Sequence, residues 1–228
     1  MNVGGISNVL SKNMARKILR DADKACRIIA EEFPGVSSSR IQTFERVNTN
    51  QIFANYCNNK LLQNRAIRDD AWKLYNNDDT LDFYRRFVEN MKKYKNINCA
   101  DYTKLTQLML KSNNIEAVNA NIMTQRLRGL DHSVLLVNTP KNGLGIYYKN
   151  SDLKNIIVID PWLGFADFAN NAVVRYNSEF AKFLGLENKY EKLFFDTYAN
   201  PEISSKTVEF IQKAFPKLIQ KKGFMANF

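Results

Sequence analysis

The stretch Asn96-Ile97-Asn98-Cys99-Ala100-Asp101-Tyr102 opens a helix and is answered downstream by Asp131-His132 and by Ile156-Ile157-Val158-Ile159-Asp160-Pro161. Leu105, Leu108 and Met109, with Ala100 and Tyr102, give that helix a core-facing stripe at helical spacing. It ends at Ser112-Asn113-Asn114, where an asparagine takes the left-handed conformation that a helix C-terminus often needs. The period then changes. Ile115, Ala117 and Val118 are strand candidates within 115–122, Ser133 to Val137 is an apolar strand after His132, and Ile156 to Ile159 is the most strand-like run in the chain. Thr139-Pro140-Lys141-Asn142-Gly143 reads as a turn and Gly145 to Tyr148 as a further short strand.

This arrangement has chemical content. Cys99 is one of three cysteines and His132 is the only histidine, so the imidazole of any thiolate–imidazole pair is fixed by elimination. A thiolate is stabilised by the positive end of a helix macrodipole and by a neighbouring imidazolium. At the first turn of its helix Cys99 has the former, and the N–H groups there are placed to receive an oxyanion. His132, expected just before a core strand, presents its ring at the sheet edge, and Asp160, at the end of the Ile156 to Ile159 strand, is placed to accept the other ring N–H. Taken singly, each residue has an ordinary structural explanation: a packing thiol, a local hydrogen bond, an Asp-Pro turn. The ordered helix–strand–strand succession favours the triad.

Outward from the centre, the flanks read as helical packaging. Leu10, Met14, Ile18, Ala22, Ala25 and Ile29 form the stripe of a basic amphipathic helix from Val9 to Phe33 that is closed by Pro34-Gly35, with Cys26 on its buried side. Ser37-Ser38-Ser39 offers a helix start, and one or two helices carry Ile41 to Leu62 with a break near Asn48-Thr49-Asn50. Cys57 in that region is read as a packing residue. Ile67 to Tyr75 is a short helix bearing Trp72, and Asp78, Asp79 and Thr80 cap the next one, whose stripe is Tyr84, Phe87, Val88 and Met91. Beyond the strands, 178–186 and 187–198 are helix candidates, and 201–221 is a helix kinked at Pro216. Helices, then a central helix with strands, then helices make an α+β fold in one domain, 1–228, with a helical part to about 95, a core over 96–165 and a helical part over 166–228.

Composition narrows the function classes. A chain of 228 residues that is 45% apolar buries an ample core, and no apolar run reaches bilayer length or resembles a Sec-type signal. Three distant cysteines without a C-x-x-C pair argue against a disulfide framework or a zinc site. No D-x-D-x-D-G loop is present, so calcium is not called for, and neither metal nor cofactor is expected. The formal charge of +10 raises nucleic acid, anionic membrane or an acidic protein as partners, but Lys and Arg are scattered rather than blocked. Nucleic acid is therefore disfavoured, and an acidic protein substrate or a regulatory protein partner is the better expectation.

The segment 96–162 resembles the transglutaminase-like core, a branch of the papain-like cysteine enzymes, whose members carry G-D-C-x-D-Y-A, a leucine-rich helix, a G-H-A-W-V-E-V strand and V-x-V-D-P-T. The matching text here is Ile97-Asn98-Cys99-Ala100-Asp101-Tyr102, then Leu105 to Leu110, then Asp131-His132-Ser133-Val134-Leu135-Leu136-Val137, then Ile157-Val158-Ile159-Asp160-Pro161-Trp162. The resemblance implies a Cys99 nucleophile, a His132 acid/base and an orienting Asp160, with the cysteine helix packed on a small antiparallel sheet. It implies acyl transfer on a protein glutamine, as cross-linking or deamidation, with peptide-bond cleavage as the rival and a non-catalytic interaction module as the alternative class. A second oxyanion donor upstream of the cysteine has candidates in Asn98, Trp72 and Gln63, with Trp72 inclined towards core packing, and Trp162 is a substrate-site candidate. Asp101 is read as a first-turn charge, and Asp131 as either a residue steering a cationic amine or a solvated loop charge. The Asp160-Pro161-Trp162 ending is similar to that of bacterial toxin and secreted-effector members, which implies delivery into a host-cell cytosol without a Sec signal; otherwise the expected place is the cytoplasm.

Overall fold

The computed structural model describes residues 10–33, 49–75, 80–94, 98–124, 129–139, 146–147, 153–181, 186, 192–199 and 201–218. The helix start at 37–39, the Pro34-Gly35 stop, the caps Asp78 and Asp79, and the turn at 140–143 lie outside these residues. In chain order the elements are α1 (Lys12–Glu32), α2 (Gln51–Trp72), α3 (Leu81–Tyr94), α4 (Cys99–Ser112), β1 (Ala117–Thr124), β2 (Gly129–Val137), β3 (Ile146–Tyr147), β4 (Ile157–Asp160), β5 (Phe165–Phe168), α5 (Ala169–Ser178), β6 (Leu193–Tyr198) and α6 (Ser205–Ala214), with a 3₁₀ turn at Pro216–Leu218. It is a mixed α+β fold. The strands form one antiparallel sheet in the order β3-β6-β1-β2-β4-β5.

β2 and β4 lie inside the sheet with helices on both faces, which is why they read as unbroken apolar runs. Leu135, Val137, Ile157 and Ile159 face Ala15, Ile18, Ala22 and Cys26 of α1 and Leu110 of α4. Val134, Leu136 and Val158 face the opposite way, against Ala169, Ala172 and Tyr176 of α5. Burying this many aliphatic and aromatic side chains, at roughly 25 cal/mol per Å² of apolar surface, is the main favourable term holding the layers together. No helix among the described residues is long and apolar enough to cross a membrane.

A third cluster, built by α3, α4 and α6, holds the end of the sheet where β4 stops. It contains Phe83, Tyr84, Phe87, Met91, Cys99, Tyr102, Leu105, Leu108, Trp162 and Ile211. Two buried hydroxyls tie its parts together: the Tyr84 phenol donates to Pro201 O at 2.8 Å, and the Tyr102 phenol donates to Phe33 O at 3.1 Å, which fixes the first turn of α4 against the end of α1. The α4 C-terminus is closed by Asn114 at φ 58°, the left-handed residue expected there.

Four expectations change. The segments 49–62 and 67–75 are not separate helices: α2 runs unbroken from Gln51 to Trp72, capped by Asn50 Oδ1, which accepts from Phe53 N at 3.0 Å. The helix candidate at 187–198 is, where described, the strand β6, because Leu193, Phe194 and Phe195 are recruited between β1 and β3. The candidate at 178–186 is replaced by α5, which ends at Ser178, with 182–185 outside the described residues. The part after 166 is thus not purely helical. Last, α6 stops at Ala214, and Pro216 begins a 3₁₀ turn where a kinked helix was expected, since a proline ring clashes with the preceding turn.

Candidate active site

The α4 N-terminus is locally encoded. Asn98 Oδ1 accepts from Asp101 N at 3.1 Å and Asp101 Oδ2 accepts from Asn98 N at 3.0 Å, a reciprocal capping box. The cap uses the amides of Asn98 and Asp101, and Tyr102 N–H starts the ladder by donating to Asn98 O at 2.9 Å. In general the N–H groups of a helix's first turn point out of its end, with no acceptor inside the helix itself. Cys99 is the first residue of the helix and is 8% exposed. We expect Asn98→Ala to lower the unfolding free energy by about 1 kcal/mol in urea titrations, and an unchanged midpoint would mean the box is not holding this turn.

His132 is not before its strand but within it. The β1–β2 register passes from Asn121↔Ser133 to Met123↔Gly129, so two steps along β1 oppose four along β2. The extra residues make a bulge, a device that re-aims a side chain at a sheet end. His132 thereby meets Asp160, the last residue of β4: His132 Nε2 lies 2.6 Å from Asp160 Oδ2, with both residues buried. With Nε2 given to the carboxylate, the buried Nδ1 is the ring nitrogen that remains, and Cys99 acts on the imidazole through its hydrogen bond and charge, which favour the protonated ring.

Asp160 is held from every side. Oδ1 accepts the backbone N–H groups of Trp162 at 3.2 Å and Leu163 at 2.9 Å, an Asx-type turn. The same turn closes with Gly164 N–H donating to Asp160 O at 2.8 Å, and Gly164 has φ 77°, where a side chain is strained. Oδ2 takes His132 Nε2 and also the Tyr176 hydroxyl at 3.1 Å. Trp162 is buried with its ring centroid 4.7 Å from that of His132, so it supports the imidazole by contact while its amide supports the carboxylate.

The electrostatics follow from this packing. Burial by itself pulls the His132 imidazolium down, but the charge and hydrogen bond of Asp160, then the hydrogen bond and charge of Cys99, overcome it and raise the group from 6.5 to about 10. At neutral pH the ring is a cation facing the thiol, the condition for a reactive thiolate. The Cys26 thiol, buried on α1, is pushed up by desolvation and by the Asp160 and Asp23 charges, and is held inert.

Cys99, His132, Asp160, Asn98 and Trp162 therefore converge; Trp72 and Gln63 do not. Trp72, 40% exposed at the end of α2, packs on Phe83 at 4.7 Å and Tyr75 at 5.3 Å, with Lys104 Nζ 5.0 Å from its ring centroid. Gln63 stands exposed on α2. Asn98 serves as a cap through its side-chain oxygen, and Asp101 is the cap's other half, buried rather than solvated. The side chains of Asp131 and Cys57 lie outside the described residues. No metal-ligating cluster occurs among the described residues. Comparison of the chain with protein-family models, curated proteins and solved structures finds no match.

Proposed function

We propose that the chain is a cysteine acyltransferase of the transglutaminase-like kind, acting on the side-chain carboxamide of a protein glutamine. The observation that carries this reading is the buried 2.6 Å contact of His132 with Asp160 beside Cys99 at a capped helix start. The Cys99 thiolate attacks the carboxamide carbon, and the oxyanion is received by the first-turn amides of α4. His132 Nδ1–H protonates the departing ammonia, leaving a thioester. A lysine amine or water then attacks, His132 takes its proton, and the thiolate returns. The amine gives a cross-link and water gives a deamidated glutamate.

Access supports a side-chain substrate over a main-chain one. Cys99 is 8% exposed and the Trp162 ring lies against His132, so little of the cysteine's surface is open to a substrate. A glutamine side chain is a thin rod ending in the reacting amide, whereas cleavage of a peptide bond needs an extended backbone laid across the thiol. The basic composition favours an acidic protein substrate, and the Asp160-Pro161-Trp162 ending supports an effector delivered to a host cell.

The test is a cell lysate incubated with a labelled primary amine and either wild type or Cys99→Ala. Amine incorporation, or a mass gain of about one unit on a substrate without amine, is expected with wild type only. New smaller fragments would replace this reading by peptide cleavage, and identical lanes would end the enzymatic one.

A further inference from the structure

The mechanism above uses three side chains, yet a fourth is built into the site. Tyr176 comes from α5, on the opposite face of the sheet from α1 and α4, and is fully buried. Its ring is clamped by Phe165 at 5.5 Å and Phe180 at 6.5 Å, and its hydroxyl reaches past the end of β4 to the carboxylate oxygen that also holds His132. A buried phenol in an otherwise apolar layer costs free energy unless its hydroxyl is hydrogen-bonded, and here the partner is Asp160 Oδ2.

We propose that Tyr176 is a positioning residue of the acyl-transfer site, fixing the plane of the Asp160 carboxylate and moderating its pull on the His132 proton. The inference rests on the Cys99–His132–Asp160 reading and adds a member to it. The two turn amides fix Oδ1; without the phenol, Oδ2 would have only the imidazole and would be free to draw closer to its proton. An ionised carboxyl offers about four acceptor positions, and His132, Tyr176, Trp162 and Leu163 fill that number. The O–H dipole also points its positive end at Oδ2, so it takes up part of the charge that would otherwise stabilise the imidazolium. An imidazolium held too strongly is a poor proton donor to a leaving ammonia; the phenol keeps it acidic enough to act.

The titratable and charged groups around this carboxylate come from each element packed on it: Cys26 from α1, Cys99 from α4, His132 from β2, and Tyr176 with neighbouring Arg175 from α5. Burial and the Asp160 charge both push the Tyr176 hydroxyl up, so it remains a donor throughout the working range.

Because His132 is the only histidine, its ring signals can be followed by NMR in the intact chain without substrate, so the result stands apart from whether acyl transfer is found. Tyr176→Phe keeps the ring and loses the donor. The His132 titration is expected to move up by about half a unit, and the pH profile of iodoacetamide reaction at Cys99 to move with it. A second variant, with difluorotyrosine at 176, keeps the shape and strengthens the donor, and is expected to move the titration down. Opposite shifts support the proposal. A titration superimposable on wild type in either folded variant, or shifts of the same sign in both, would assign Tyr176 to packing alone.

Discussion

Asp160→Ala is expected to lower the unfolding free energy by about 3–5 kcal/mol, the penalty for breaking a buried pair from one side. The carboxylate is 0% exposed and accepts from His132 Nε2, the Tyr176 hydroxyl and the amides of Trp162 and Leu163. Alanine leaves all four donors facing a methyl group in a layer that excludes water, and an unsatisfied buried donor costs about 1–3 kcal/mol. Losing the buried charge removes its own desolvation penalty and lets the imidazole become neutral, so the four costs are partly offset. Asp160→Asn separates geometry from charge. The amide still offers one oxygen to the turn, but its NH₂ confronts two donors, and His132 must change tautomer so that Nε2 accepts. Nδ1 then carries a proton towards Cys99 and cannot take one from it. Urea titrations should place the asparagine variant between wild type and alanine, while its acyl transfer and its iodoacetamide reaction near neutral pH fall well below wild type, the former by about 10⁴-fold. An alanine variant within about 0.5 kcal/mol of wild type would show that the carboxylate is not holding this end of the sheet.

The central strands and the helix bearing Cys99 were legible because their causes are local. Ile157, Val158 and Ile159 are buried on both faces of β4, and continuous burial writes itself as a continuous apolar run. Asn98 and Asp101 are spaced to cap α4, so the cysteine's place at the helix start needed no tertiary information. Elements whose conformation is imposed by partners were not legible. Leu193 to Tyr198 is amphipathic enough for either period, and becomes a strand because β1 and β3 are there to pair with it. The four residues of β5 are too few to carry a pattern. The bulge that holds His132 is a mismatch between two strands and has no signature in either alone. Tyr176 lay in no motif; its role exists only because α5 packs where β4 ends.

Titration of His132 should make the fold lose stability as the solution turns alkaline, although the chain is basic and its net charge falls over the same range. The folded imidazole is raised from 6.5 to about 10: burial opposes this, and the Asp160 charge and hydrogen bond, with those of Cys99, prevail. A group whose folded value lies above its unfolded one binds its proton more tightly in the native state. Its contribution is complete below pH 6.5, declines as the unfolded chain releases the proton, and is gone above about pH 10. At 1.36 kcal/mol per unit the contribution is on the order of 5 kcal/mol, undiscounted because the ring is 2% exposed. Other groups act later: the buried Cys26, Tyr84 and Tyr176 are raised above ordinary values of 9.0 to 10.0, so their neutral forms stabilise the fold until the unfolded chain ionises there. The window from pH 6.5 to 9 therefore belongs to His132. Urea titrations across it should show wild-type stability falling steadily and His132→Gln nearly level, with the two curves converging as the pH approaches 10. Parallel curves would overturn this pH dependence, because they would mean that folding takes up no net proton at the His132 site between pH 6.5 and 9.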